Sequence, residues 1–422
     1  MSRHFKIVLA LVIGAGCGVT LNALVAGRPT GTAALDWSVG HLFEPAGKMW
    51  LSALIMVVIP LIVSSLALGV AGLGSFGRLG RIGAITLTSF VTLTALSTAL
   101  GLLLMNVLAP GRSLDPAIKL RLLETYRGQV DSAFGLSSNI FSIDLLVKIV
   151  PRNPVKAAAD GDMLAVIFFS LMIGVALMLV PRDKAEPMSK LLDSIGNLTV
   201  AIIELVMKVA PIGVFCLIFS VTAHFGYELL WNLIKYVAVV VTGLLLFQTV
   251  GYALVIKLVA GRSPLAFFRQ IQLVMLTAFS TSSSNATLPT TMRVGEENVG
   301  LPREITGFVL PLGATMNMNG TALYEGATVL FLAQVFGIDL SLGQQVVVML
   351  MSVVTAFGVA GIPGGSLPFI MMVLAMVGVP PEGIAIILGV DRLLDMCRTV
   401  LNVSGDLVTA TIVQRFAGQN LR

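Results

Sequence analysis

Apolar runs of about 20 residues, enough to cross a hydrocarbon core of roughly 30 Å as a helix, recur along the chain between short charged loops. In order, they predict helices over 5–27, 45–73, 80–109, 160–181, 193–222 and 228–260. From about 264 the pattern changes. Two apolar stretches are each interrupted at the centre: Pro264–Arg293 by Ser280-Thr-Ser-Ser-Ser-Asn-Ala-Thr-Leu-Pro289, and Gln345–Val377 by Ala360-Gly-Ile-Pro-Gly-Gly-Ser-Leu-Pro368. Arms of about a dozen residues reach only ~18 Å as helix, so both stretches predict re-entrant helical hairpins. Non-helical backbone at membrane depth survives only where it is buried in protein or lines a cavity. That requirement directs both tips to one internal site. A helix with a polar stripe follows each hairpin, which is the pattern of an inverted repeat. Close packing of small residues accounts for scattered Ser and Gly, but poorly for the five consecutive hydroxyl residues Ser280–Ser284.

Pro380–Phe416 reads as one helix with Asp391, Asp395, Arg398, Asn402 and Asp406 at spacings of four, three, four and four. At about 100° per residue the five share an arc of roughly 80°; Arg392 and Ser404 lie off that face. Each charge at mid-membrane costs about 2.5–3.5 kcal/mol on insertion scales, so the stripe reads either as an ion-pair ladder locking the bundle or as a wall of binding groups. The second reading gives every group a task. Arg398 offers a planar bidentate fork for a carboxylate, and Asp395, one turn away, offers the opposite charge for an ammonium. Ser283 and Ser284 add hydroxyls where a half-helix N-terminus favours an anion. Asn402 and Asp406 are hard oxygen ligands for a small cation. In the intervening helix, Ile305–Phe336, Gly320 beside the two asparagines Asn317 and Asn319 signals a break, and Asn317, Thr321, Tyr324 and Glu325 recur at helical spacing. Glu325 in apolar surroundings is a candidate proton carrier, because burial disfavours a charged carboxyl.

Composition narrows the class. Of 422 residues 56% are hydrophobic and 12% charged, against roughly 25% charged in ordinary soluble domains. The first run, Ile7–Ala26, is longer than a typical signal-peptide core and predicts the first transmembrane helix. Cys17, Cys216 and Cys397 show neither a disulfide framework nor metal-ligand spacing. The net charge of +5 marks cytoplasmic loops rather than a nucleic-acid partner. Arg78 and Arg81, then Arg182, Lys184 and Lys190, then Lys257, Arg262 and Arg269 fall in alternate loops, placing the N-terminus in the cytoplasm.

Ser282-Ser-Ser-Asn-Ala-Thr-Leu-Pro, Asn317-Met-Asn-Gly-Thr-Ala-Leu-Tyr, Gly361-Ile-Pro-Gly and Asp395-Met-Cys-Arg-Thr-Val-Leu-Asn-Val-Ser-Gly-Asp406 together resemble the glutamate/aspartate and dicarboxylate:cation symporter family. The resemblance extends to Ile59-Pro-Leu-Ile-Val-Ser-Ser-Leu and weakens over 110–156. It implies an all-α polytopic protein of eight transmembrane helices plus two re-entrant hairpins, with inverted repeats and an elevator mechanism. The expected form is a homotrimer in the cell inner membrane with both termini cytoplasmic, not an enzyme. The chain would divide into 1–110 (scaffold and transport-domain helices), 111–158 (external connection), 159–260 (helices 4–6) and 261–422 (transport core). Asp395 would take the substrate's amino group, Arg398 with Thr321 the side-chain carboxylate, and Asn402, Thr399 and Ser284 the α-carboxylate. Backbone at Ser282, Ile362 and Ser366 would complete the pocket. Gly313, Asn317, Asn402 and Asp406 would hold one sodium ion, and carbonyls around Thr315 and Met318 a second, with the nearby Ala356 and Val359 less polar than such a site suggests.

Departures bear on the coupling ion. Asn319 stands where sodium-coupled relatives carry Asp, and the partner position in the third helix is Leu93, next to Thr94 in sequence; loss of that carboxylate weakens a third sodium site. Ser282 and Met396 stand where the family places an arginine. With Glu325 at the proton-carrier position, coupling to H+, or to fewer Na+ plus H+, is expected, with no prosthetic cofactor. A C4-dicarboxylate symporter of the same fold is the alternative. An intramembrane serine hydrolase lacks a positioned His or Lys base, and a passive channel would not need an arginine fork.

Overall fold

The computed structural model describes residues 3–25, 35, 37–73, 80–114, 150–160, 162–225, 227–359 and 365–417, and the regular elements among them are all helices. The tip residues 360–364, with the Gly361-Ile-Pro-Gly motif and Ile362, lie outside the described residues, as does most of the predicted external connection.

The first half comprises α1 (Arg3–Val25), α2 (Glu44–Ile55), α3 (Val58–Leu73), α4 (Gly80–Leu108), α5 (Pro154–Ala159), α6 (Met163–Leu179), α7 (Arg182–Val206), α8 (Ala210–Phe225) and α9 (Tyr227–Leu246). Two expected continuous helices are divided. The predicted 45–73 helix turns at Met56-Val57, and the predicted 193–222 helix starts earlier, at Arg182, and breaks at 207–209, where its two parts bend by 61°. Proline explains both breaks: its ring clashes with the carbonyl four residues earlier, and the positions four before Pro60 and Pro211 are Met56 and Met207. Among the described residues Arg81–Ser113 and Leu230–Val259 are each long and apolar enough to cross a membrane, and Arg182–Val206 with Ala210–His224 passes as a bent pair. The other expected spans include shorter apolar helices such as Leu9–Val25, Ile59–Ala71 and Ala165–Leu179.

The second half carries the site. Helices α10 (Pro264–Gln270) and α11 (Gln272–Thr281) lead to α12 (Ser284–Glu297), which packs back on α11. The expected tip, 280–289, shrinks to Ser282-Ser283, because the Ser283 hydroxyl accepts from Ala286 N at 3.2 Å and starts the next helix at once. Helices α13 (Arg303–Met316) and α14 (Asn319–Val335) follow, then α15 (Leu342–Ala356), α16 (Leu367–Met376) and α17 (Leu388–Ala417). The break between α13 and α14 falls at Asn317-Met318, and Gly320 lies inside α14 rather than at the break. Its lack of a side chain serves packing: a Cβ there would collide with the Arg398 carbonyl of α17. The last helix also begins later than expected. Pro381–Ile386 forms a 3-10 turn, and regular α-helix starts at Leu388.

Helix α17 is the hub, packing on α4, α9, α11, α12, α13 and α14. Every residue of α14 is buried. Among the neighbours of this pair are the broken ends of α11 and α13, so the irregular backbone faces the interior of the helical assembly.

Candidate substrate and cation site

Asp391, Asp395, Arg398, Asn402 and Asp406 are 5%, 4%, 2%, 3% and 2% exposed, so all five groups of the stripe turn inward. Arg398 donates from Nε to Asp395 Oδ1 at 2.8 Å and from Nη1 to Asp391 Oδ1 at 3.2 Å. Its guanidinium lies 4.4 Å from the centre of the Tyr324 ring, where the ring face attracts a cation. The Tyr324 hydroxyl donates to Asp391 Oδ1 at 2.8 Å. A further cation joins this network. Arg392, assigned to another face by the helical wheel, is 5% exposed and donates from Nη1 to Asp395 Oδ2 at 3.0 Å. An arginine is long enough to bridge three residues along a helix, and that spacing was the signal available in the sequence.

Beside this ladder lies a pocket walled by Ser282, Ser284, Thr321, Ser366, Asp395, Arg398, Thr399 and Asn402, with Met318 and Val359. The wall therefore unites both hairpin stretches, the α13–α14 break and α17. Ser282 adopts the left-handed conformation, with φ of 49°, which is uncommon for a residue with a side chain. The Ser282 and Ser366 hydroxyls are buried without a hydrogen-bond partner among the described residues. Buried polar groups are otherwise nearly always paired, so these two point to a polar guest. Ser283 is not on the wall; its hydroxyl serves as the α12 cap.

Asn402 joins the wall to the start of α14. Its Oδ1 accepts from Gly320 N at 2.7 Å and from Thr321 N at 3.2 Å, and its Nδ2 donates to Thr321 Oγ1 at 3.0 Å. Further along α17, Asn317 Nδ2 donates to Asp406 Oδ1 at 2.8 Å, while Asn317 Oδ1 is buried and unpartnered. A Cβ on Gly313 would collide with the Asp406 carboxylate. Gly313, Asn317 and Asp406 thus meet as a compact oxygen-rich group of the kind a hard cation takes. The Asn402 side-chain oxygen is committed instead to the start of α14. Thr315 and Met318 flank the same break, and the Thr315 hydroxyl donates to Leu312 O.

Asn319 is saturated by protein. Its Oδ1 accepts from Thr94 Oγ1 at 2.7 Å, its Nδ2 donates to the Tyr252 hydroxyl at 2.8 Å, and its carbonyl accepts from Ser97 Oγ at 2.8 Å. Tyr252 and Ser97 were not anticipated, because their distance along the chain hides the contact. Glu325 meets α15: its Oε2 accepts from Thr355 at 2.9 Å, and its Oε1 is buried without a partner among the described residues.

A model of the sodium:dicarboxylate symporter family matches residues 4–416. A protein of Escherichia coli (strain K12) named proton/glutamate-aspartate symporter is 36% identical over 98% of this chain and 93% of its own length. A Bacillus subtilis (strain 168) protein named proton/sodium-glutamate symport protein is 34% identical over the same two shares. A second Bacillus subtilis (strain 168) protein, named C4-dicarboxylate transport protein, is 32% identical over 90% of this chain and 89% of its own.

Proposed function

The chain belongs to the sodium:dicarboxylate symporter family, and from that premise and the geometry of its pocket we propose that it is a secondary active symporter taking up glutamate and aspartate with H+, Na+ or both. The observation that carries the reading is the meeting of the Arg398 fork, the Asp395 carboxylate and the unpartnered Ser282 and Ser366 hydroxyls on one cavity wall. Arg398 binds the substrate's side-chain carboxylate with Thr321, Asp395 the ammonium, and Thr399, Asn402 and Ser284 the α-carboxylate. Ser282 and Ser366 complete the pocket wall.

Charge explains why such a site needs co-transported cations. The Asp391 and Asp395 carboxylates already face the Arg392 and Arg398 guanidinium groups. An acidic amino acid adds a net negative charge beside this balanced set, and Asp406 adds another. Uncompensated charge in an apolar interior is strongly unfavourable, so substrate and cation cross together. Gly313, Asn317, Asn402 and Asp406 are the groups that would carry a sodium ion, with Thr315 and Met318 at a second position. Asn319, neutral and fully hydrogen-bonded to Thr94 and Tyr252, leaves no carboxylate for a third. Glu325, with one oxygen held by Thr355 and the other unpartnered, suits a proton carrier.

The wider architecture follows the same reading: eight transmembrane helices and two re-entrant hairpins in inverted repeats, an elevator motion of the transport core against a scaffold, and a homotrimer in the inner membrane with cytoplasmic termini. The test is uptake of labelled glutamate, aspartate and succinate into proteoliposomes under separately imposed sodium and proton gradients. Saturable accumulation of the two amino acids against their gradients is expected, driven by a pH gradient even without sodium. Strict sodium dependence indifferent to pH removes the Glu325 assignment, and passive equilibration removes symport. A C4-dicarboxylate substrate is the second reading, favoured by the positive charge that Arg392 already lends Asp395.

A further inference from the structure

The ladder contains one more cation than the binding of an acidic amino acid calls for. Arg398 has a role on the cavity wall, whereas Arg392 is not among the residues of that wall. Arg392 nonetheless approaches Asp395 from behind, with Nη1 3.0 Å from Oδ2, while Arg398 Nε is 2.8 Å from Oδ1. Both carboxylate oxygens therefore face a guanidinium. Arg392 also lines a separate pocket whose wall includes Trp50, Met207, Val214 and Leu388. The wall of this pocket is largely apolar, and the ion pair with Asp395 ties the charge of Arg392 to the substrate side.

We propose that Arg392 is a specificity-determining residue: through Asp395 it sets the balance between amine-bearing and amine-free dicarboxylates in the substrate cavity. The proposal rests on the reading that Asp395 receives the substrate's ammonium. An ammonium arriving at Asp395 meets a carboxylate that Arg392 already partly neutralises, and the two positive charges repel at a few ångströms where little water screens them. The presence of Arg392 thus weakens the ammonium's hold. A C4-dicarboxylate brings no ammonium, and without a second cation Asp395 would repel it. Arg392 supplies that cation from the protein. The same side chain thus disfavours acidic amino acids and favours dicarboxylates, and both effects act on one ratio.

The experiment compares inhibition of labelled aspartate uptake by unlabelled aspartate and by succinate in the same proteoliposomes, for the wild type and for Arg392→Gln, Arg392→Lys and Asp395→Asn. The ratio of the two half-inhibitory concentrations is independent of how much protein is inserted. Arg392→Gln is expected to widen the succinate-to-aspartate ratio by about tenfold or more, the scale of one lost charge interaction, while Arg392→Lys holds it near the wild-type value. Asp395→Asn, read by direct binding to the purified protein if uptake is lost, should narrow the ratio. If Asp395→Asn shifts the ratio but Arg392→Gln does not, Arg392 only braces the helix and the proposal is wrong. If neither shifts it, the ammonium assignment of Asp395 fails first. Where Gln at this position does not fold, Arg392→Met keeps an apolar stem beside Trp50 and Leu388 and reads the same ratio; a ratio unchanged there also overturns the proposal.

Discussion

Arg398 shows how one side chain serves both the fold and the site. It is 2% exposed and is held by Asp391, Asp395 and the Tyr324 ring, so it is already aimed when a carboxylate arrives. Arg398→Ala removes the fork and takes a guanidinium away from Asp391 and Asp395, and breaking a buried pair costs about 3–5 kcal/mol. The expected outcome is loss of at least about a hundredfold in glutamate uptake efficiency, checked by initial rates at several concentrations; uptake of near wild-type efficiency would refute the assignment. Asn319 gives a second test at this scale. Asn319→Asp places a carboxylate among Thr94, Ser97 and Tyr252 and should make uptake depend more steeply on sodium. A sodium dependence identical to wild type would show that this position does not select the ion. The stripe residues themselves were legible from spacing alone. Arg392 was not, because a helical wheel assigns a direction to the Cα–Cβ bond and ignores the reach of a long side chain.

Among the elements, the junction between α14 and α17 carries the most. The first N–H groups of a helix have no partner within it, and at α14 the side chain of Asn402, on another helix, supplies the acceptor for Gly320 and Thr321. Loss of a cap costs about 0.5–2 kcal/mol. Asn402→Ala should therefore lower the thermal midpoint of the detergent-solubilised protein as well as impair binding; an unchanged midpoint would mean the cap contributes nothing. The same junction explains why Gly320 misled the reading of the break. Glycine serves both flexible backbone and close helix approach, and sequence does not separate the two uses. The breaks at Met56 and Met207 were readable in principle, four residues before a proline each time, but an apolar run obscures a bend.

At the scale of the molecule, the pocket wall draws on both hairpin stretches, the α13–α14 break and α17. The homotrimer proposed above is tested separately from that wall. Native mass spectrometry from detergent is expected to give a trimer; a monomer that still binds aspartate would remove the trimer while leaving the site intact. What the sequence determined unaided was class and chemistry: long apolar runs demand helices in a membrane, periodicity puts five polar groups on one face, and interrupted runs mark irregular backbone that must be buried. These follow from local rules, in which the spacing of residues fixes their relative direction. Tertiary structure alone decided which groups meet: Asn402 with the start of α14, Thr94 and Tyr252 with Asn319, and Thr355 of α15 with Glu325. Such contacts join positions that are up to 225 residues apart, and only the packing of whole helices brings them within hydrogen-bonding distance.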